Sequence, residues 1–131
     1  MIGDREKGVA LFREIYGDKA ADGLVGAIEN ENKFGVECIR WSTDFNFGSV
    51  WPREALERKL RSCAVLGMMI ALRQYDEIKY HTKMGTKNGL SKAEIQEILY
   101  SSVPYCGIPA SNTARAAMEE AFAEMEQSKS S

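Results

Sequence analysis

Residues 61–109 read RSCAVLGMMIALRQYDEIKYHTKMGTKNGLSKAEIQEILYSSVPYCGIP, and this stretch decides both the fold class and the place to look for chemistry. Its apolar residues recur every three or four positions, which is the period of an amphipathic helix rather than a strand. It contains the one histidine of the chain, His81, with Glu77 four residues earlier. Residues four apart share a helix face, so a helix over 75–88 brings that carboxylate and imidazole within reach. Asn88-Gly89 is suited to end it. Ser91-Lys92-Ala93-Glu94 is a capping box, and Ile95, Ile98, Leu99 and Val103 form the apolar stripe of the helix it starts. Pro104 and the turn at 105–109 interrupt that helix, and Ser111 or Asn112 caps a last one through Glu124, leaving 126–131 as a frayed tail.

Upstream, 54–74 reads as the longest and most apolar helix. It is hydrophobic on nearly every side after Ser62, which predicts central burial, and Ala64, Gly67 and Ala71 permit close approach of neighbouring helices. Further back, helices are expected over 4–16, ended by Gly17, over 18–28, capped by Asp18, and over 33–41. The glycines Gly23 and Gly26 weaken the second by ~1 kcal/mol each relative to Ala. An aromatic-rich connection, Asp44 to Gly48, then leads to Trp51 and Pro52. Such a cluster serves either as core or subunit contact or as the wall of a pocket. Together these segments make an all-α protein of six to seven helices, in one domain spanning 1–131.

Composition narrows the function. With 131 residues, 44% apolar and 27% charged, the chain has enough material for a core without disulfides or metal. A net charge of -2 with both signs interspersed offers no basic face to a phosphate backbone, so no nucleic-acid partner is expected. No apolar run approaches the ~20 residues of a membrane span, and the N-terminus lacks the apolar core of a signal peptide. A cytoplasmic protein is expected. Cys38, Cys63 and Cys106 are odd in number and widely separated, which fits free thiols rather than a disulfide framework or cysteine-pair zinc sites.

Few residues remain for chemistry. Phosphate-cradling and dinucleotide motifs are absent, and Glu77 with His81 alone is too small a set for a closed zinc shell, so no metal is expected. A single histidine on a helix serves either as a satisfied structural residue or as a catalyst. A carboxylate one turn away can orient the imidazole and raise its pKa, as suits a general acid or base. Arg53, Arg58, Lys59 and Arg61 form either a solvated face or a clamp for a substrate carboxylate.

The ordered landmarks Trp51, Arg53, Leu56, Arg61-Ser62, Glu77-x-x-x-His81, Asn88-Gly89, Glu94-Ile95-x-Glu97 and Tyr105-Cys106-Gly107-x-Pro109-Ala110 resemble the carboxymuconolactone decarboxylase family. The resemblance covers residues 48–115. It implies an alkylhydroperoxidase D-like helical fold, assembled as a trimer-based homo-oligomer such as a hexamer, with active sites near subunit interfaces. It also implies decarboxylation of 4-carboxymuconolactone, or of a similar small carboxylated lactone or vinylogous acid, without a cofactor. In such a lactone the departing carboxylate leaves its electrons to flow through the ring double bond to the lactone carbonyl as a dienolate. The enzyme then holds the carboxylates, stabilises the oxyanion and delivers a proton to the ring. On this reading His81, oriented by Glu77, is the proton donor or oxyanion partner. Arg53 or Arg61 binds a carboxylate, Trp51 and Tyr105 wall the ring, and Cys106 lines the pocket or packs.

Two other readings compete. Thiol peroxidases of the same superfamily carry a CxxC pair followed, after three intervening residues, by histidine. Aligned on His81, that motif puts its sulfurs at Gln74 and Glu77 and its upstream glutamate near Ser62, and neither sulfur is present, so thiol exchange is disfavoured. In a non-catalytic helical oligomer, Glu77 and His81 would simply satisfy each other.

Overall fold

The computed structural model describes residues 3–130, which form seven α-helices and one π-helical segment, with no strand among them. The chain divides into two compact units, Met1–Glu57 and Arg58–Ser131.

In the first unit, α1 (Arg5–Tyr16) begins where the Asp4 carboxylate accepts from the Lys7 amide at 3.0 Å. It ends at Gly17, whose φ of 92° favours a residue without Cβ. Helix α2 (Asp18–Glu29) follows at once, and Asp18 is its first residue, not its cap, because Gly17 already holds the cap position. The carboxylates of Asp18 and Asp22 instead take the Arg13 guanidinium, each at 3.0 Å. Helix α3 (Val36–Trp41) is shorter than the expected 33–41 because Gly35 before it is left-handed, with φ 71°.

The connection predicted after Trp41 is itself helical. The chain widens into a π-helical segment, Ser42–Val50, and the Trp51 amide donates to the Asn46 carbonyl at 2.9 Å, an i to i+5 bond. Helix α1 packs across this segment with two glycines at the crossing. A methyl group on Gly8 would press into the Thr43 carbonyl, and one on Gly48 into the Asp4 carbonyl. Around the crossing, the Arg5 guanidinium donates two bonds of 2.8 Å to the Asp44 carboxylate, and Phe12 meets Phe47 edge-on at 5.4 Å.

The second unit comprises α4 (Arg58–Ala71), α5 (Tyr75–Lys87), α6 (Lys92–Cys106) and α7 (Ile108–Ser130). Leu66, Ile70, Ile78, Leu90, Ile95, Ala114, Ala117 and Met118 make its core. Helix α4 starts later than the expected Glu54 and is not buried on all sides. Ser62, Leu66 and Ile70 face inward, whereas Leu60, Met68 and Leu72 are 50%, 57% and 61% exposed. Gly67 has open space where a Cβ would stand, so the small residues of α4 do not serve close packing within the chain. Its outer apolar face is unpartnered.

Helix α5 ends at Asn88-Gly89 as expected, with Gly89 at φ 108°. The capping box of α6 forms in both directions: the Glu94 amide donates to Ser91 Oγ at 3.0 Å and the Ser91 amide to the Glu94 carboxylate at 2.9 Å. The break expected at Pro104 comes three residues later. Pro104 lies inside the last turn of α6, and Gly107, at φ 92°, makes the corner. Pro109 then sits in the first turn of α7, where a missing N–H costs nothing. Ser111, like Asn112, is therefore within α7 and not its cap. Its hydroxyl donates to the Gly107 carbonyl at 3.0 Å and meets Ser102 Oγ at 2.7 Å, tying the corner together. Helix α7 continues past Glu124 to Ser130, and Ser131, last of the expected tail, lies outside the described residues.

The glycine crossing yields a test. Gly8→Ala and Gly48→Ala should each lower stability by ~1–3 kcal/mol, because backbone carbonyls must move. Gly26→Ala, with nothing within 4 Å of its Cβ, should raise it by ~0.5–1 kcal/mol through helix propensity. Urea unfolding of the three variants beside the parent measures both signs.

Candidate functional site

Helix α5 carries the candidate chemistry. Asp76 and Glu77 occupy its first turn, where the positive end of the helix dipole favours carboxylates. One turn on, His81 is buried, at 8% exposure. Its Nε2 lies 3.7 Å from Glu77 Oε2, and the Glu77 side chain is 56% exposed. The Tyr80 ring stands edge-on to the imidazole at 5.5 Å. Glu77 and His81 thus meet as their four-residue spacing predicts, but the electrostatic outcome is the reverse of the expected one. Burial pushes the His81 pKa down from 6.5 to about 4. At 3.7 Å Glu77 is beyond a good hydrogen bond and is well hydrated, so it does not offset the loss of water around the imidazole. At neutral pH His81 is uncharged and keeps one N–H to donate.

The other candidates are distributed between the two units. Arg61 is half-buried on α4. Cys106, at the end of α6, packs half-buried against the core of the second unit, which favours packing over pocket lining. Tyr105 beside it is 91% exposed, so it walls nothing within its own chain. In the first unit, Trp51 is 2% exposed and Arg53 is exposed. Gln74, where the peroxidase motif has a cysteine, is the N-cap residue of α5. Ser62, aligned with that motif's glutamate, is buried and accepts from Asn88 Nδ2 at 2.9 Å. Among the described residues no cluster of three or more His, Cys, Asp or Glu is placed to hold a metal ion.

One set of positioning residues escaped the sequence reading. Lys79 reaches Glu124 at 2.9 Å and Glu120 at 3.6 Å. Lys83 reaches Glu124 at 3.3 Å, and the Tyr75 hydroxyl donates to Glu120 at 2.5 Å. This ladder joins α5 to α7 along one edge of the helix that bears Glu77 and His81. The signal was present as Tyr75, Lys79 and Lys83 at four-residue intervals, matched by Glu120 and Glu124 at the same interval.

The profile of the carboxymuconolactone decarboxylase family matches residues 37–120. A 4-carboxymuconolactone decarboxylase of Acinetobacter baylyi is 31% identical over 120 residues, 92% of this chain and 87% of that protein. A nitrosuccinic acid decarboxylase of Metarhizium robertsii is 31% identical over 107 residues, 79% of this chain and 71% of that protein.

The depressed His81 pKa gives a signed prediction. The imidazole is neutral in the folded chain down to about pH 4 but takes a proton in the unfolded chain below its ordinary ~6.5. The unfolded state therefore binds more protons across this window. Stability present above pH 6.5 should fall as the pH drops towards 4, by up to about 3 kcal/mol from this group. Urea unfolding at pH 7.0, 5.5 and 4.5 should show a shallower acid loss in His81→Gln than in the parent. Parallel losses in the two proteins would contradict the assignment.

Proposed function

Because the chain belongs to the carboxymuconolactone decarboxylase family, we propose that it is a carboxy-lyase acting, without a cofactor, on 4-carboxymuconolactone or a similar small carboxylated lactone or vinylogous acid. The observation that carries this reading is the buried, neutral His81 beside the half-exposed Glu77 on α5, in a chain whose similar proteins are named decarboxylases. Both units are taken as one functional domain, since the family match crosses from residue 37 to residue 120.

The chemistry asks little of the protein beyond electrostatics. The carbon–carbon bond to the carboxylate breaks, carbon dioxide leaves, and the electron pair moves through the ring double bond onto the lactone carbonyl oxygen. A neutral imidazole N–H directed at that oxygen stabilises the dienolate as it forms, and burial makes the interaction stronger than in water. The lowered pKa favours this oxyanion role for His81 over that of a charged acid. Glu77, in contact with solvent, then supplies the path by which a proton reaches the ring carbon. Arg53 or Arg61 holds a substrate carboxylate, and Tyr105, covered by a second subunit, flanks the ring, while Trp51, 2% exposed, supports the core of its own unit.

A homo-oligomer, trimer-based and such as a hexamer, is part of the proposal. Its support is the amount of uncovered apolar surface: Phe34, Trp41 and Phe45 in the first unit, and Leu60, Met68, Leu72, Tyr105 and Ile108 in the second. Cys38, Cys63 and Cys106 are all free thiols, consistent with a reducing cytoplasm. No helix among the described residues is long and apolar enough to cross a membrane. A second substrate reading comes from the equal identity to the nitrosuccinic acid decarboxylase. A nitro group, like a lactone carbonyl, accepts the electron pair that decarboxylation leaves.

Purified protein should consume 4-carboxymuconolactone, followed by loss of the substrate absorbance, with nitrosuccinate assayed in parallel. His81→Ala should lower turnover by ~10² to 10⁴, and a rate near that of the parent would remove His81 from the chemistry. Arg53→Met and Arg61→Met should raise KM more than they lower kcat for whichever arginine binds the carboxylate, and an unchanged KM in both would exclude the pair.

A further inference from the structure

Outside the residues assigned above, a groove runs along the antiparallel pair α6 and α7. It has a volume of about 280 Å3, equivalent to roughly nine waters at ~30 Å3 each. Its floor is apolar: Ile95 is fully buried, Met118 nearly so, and Leu99 and Phe122 are half-buried. A cation stands towards each end. Arg115 is already paired with Glu119 at 3.0 Å. Lys92 differs, because its ammonium lies 4.9 Å from the centre of the Phe122 ring, and among the described residues no carboxylate is placed against it. A ring face attracts a cation only modestly and leaves most of its N–H groups open.

We infer that this groove binds a small carboxylate with a flat apolar body, its carboxylate on Lys92 and its body against Leu99 and the Tyr100 and Phe122 rings, above the buried Ile95 and Met118. Glu119 neutralises Arg115, whereas no carboxylate among the described residues pairs with Lys92, so the Lys92 end carries the groove's uncompensated positive charge. Size argues for a small molecule over a protein partner. Its volume of about 280 Å3 is close to the lower end of the ~300–1,000 Å3 of small-molecule sites. The polar rim of Gln96 and Glu119 also suits a ligand with one hydrated edge better than a dry apolar contact.

The site is separate from the proposed decarboxylation, so its test does not need that activity. The full chain, methyl-labelled at Ile, Leu and Met, is titrated with 3-phenylpropanoate, and in parallel with the uncharged 3-phenylpropanamide. Expected are saturable shifts of the Ile95, Leu99 and Met118 methyls, with the amide and the Lys92→Gln protein each binding the carboxylate-type probe site about tenfold more weakly. Lys92 is exposed, so its replacement leaves the fold intact. The inference is overturned if those methyls do not move, or if the amide binds as well as the acid. It is equally overturned if shifts appear only at residues flanking His81, or if groove signals depend on protein concentration without probe, which would place a second copy there.

Discussion

Loss of water around one imidazole is the constraint on which the chemistry proposed for this chain depends, and it rests on how α5 is held. Ile78, Thr82 and Met84 on that helix are fully buried, and Gly85 lets the Leu90 side chain come within 2.9 Å of where a Cβ would be. Those contacts leave α5 little freedom to turn about its axis. His81 shares the helix with them and is carried into the dry side, while Glu77, one turn nearer the N-terminus, stays half in solvent. The same rotation that fills the core thus separates the two members of the pair by environment, one dehydrated and one wet.

The charge ladder between α5 and α7 works on a different scale. Its members are partly exposed, so each pair is worth little to stability. What the ladder adds is register. Glu124 takes two lysines one turn apart, which suits only one sliding position of α5 along α7. The carboxylate responds in the expected direction, since hydrogen bonds from Lys79 and then Lys83 lower its pKa. Apolar packing supplies the energy here, and the ionic edge selects among packings that are nearly equal in area.

Helix ends were legible in the sequence because they are written in local chemistry. Gly17, Ser91 with Glu94, and Asn88-Gly89 all act where expected. Three features were not legible, each for a physical reason. A π-helical turn has no composition of its own, so Asp44 to Gly48 reads as a loop when Gly48 is in fact the contact point for α1. An apolar helix face looks the same whether it meets its own chain or another, so α4 reads as fully buried although Leu60, Met68 and Leu72 are not. Four-residue spacing places Glu77 and His81 together but carries no information about the water around them, and that water decides the direction in which the imidazole titrates.

This last point changes what kind of catalyst the site can be. A histidine raised in pKa by its carboxylate would approach the substrate as a cation and compete with the arginines for its carboxylates. That contact would stabilise the ground state as much as the transition state, and uniform binding of this kind does not speed the chemical step. In the proposed decarboxylation a neutral imidazole would attract the dianion weakly before reaction and the enolate oxygen strongly once charge has moved onto it. Its hydrogen bond therefore strengthens along the reaction coordinate, in a setting where few waters remain to screen it. In the proposed reaction, desolvation of His81, which the packing of α5 imposes for reasons of the core, would turn the same imidazole into a group that distinguishes transition state from substrate.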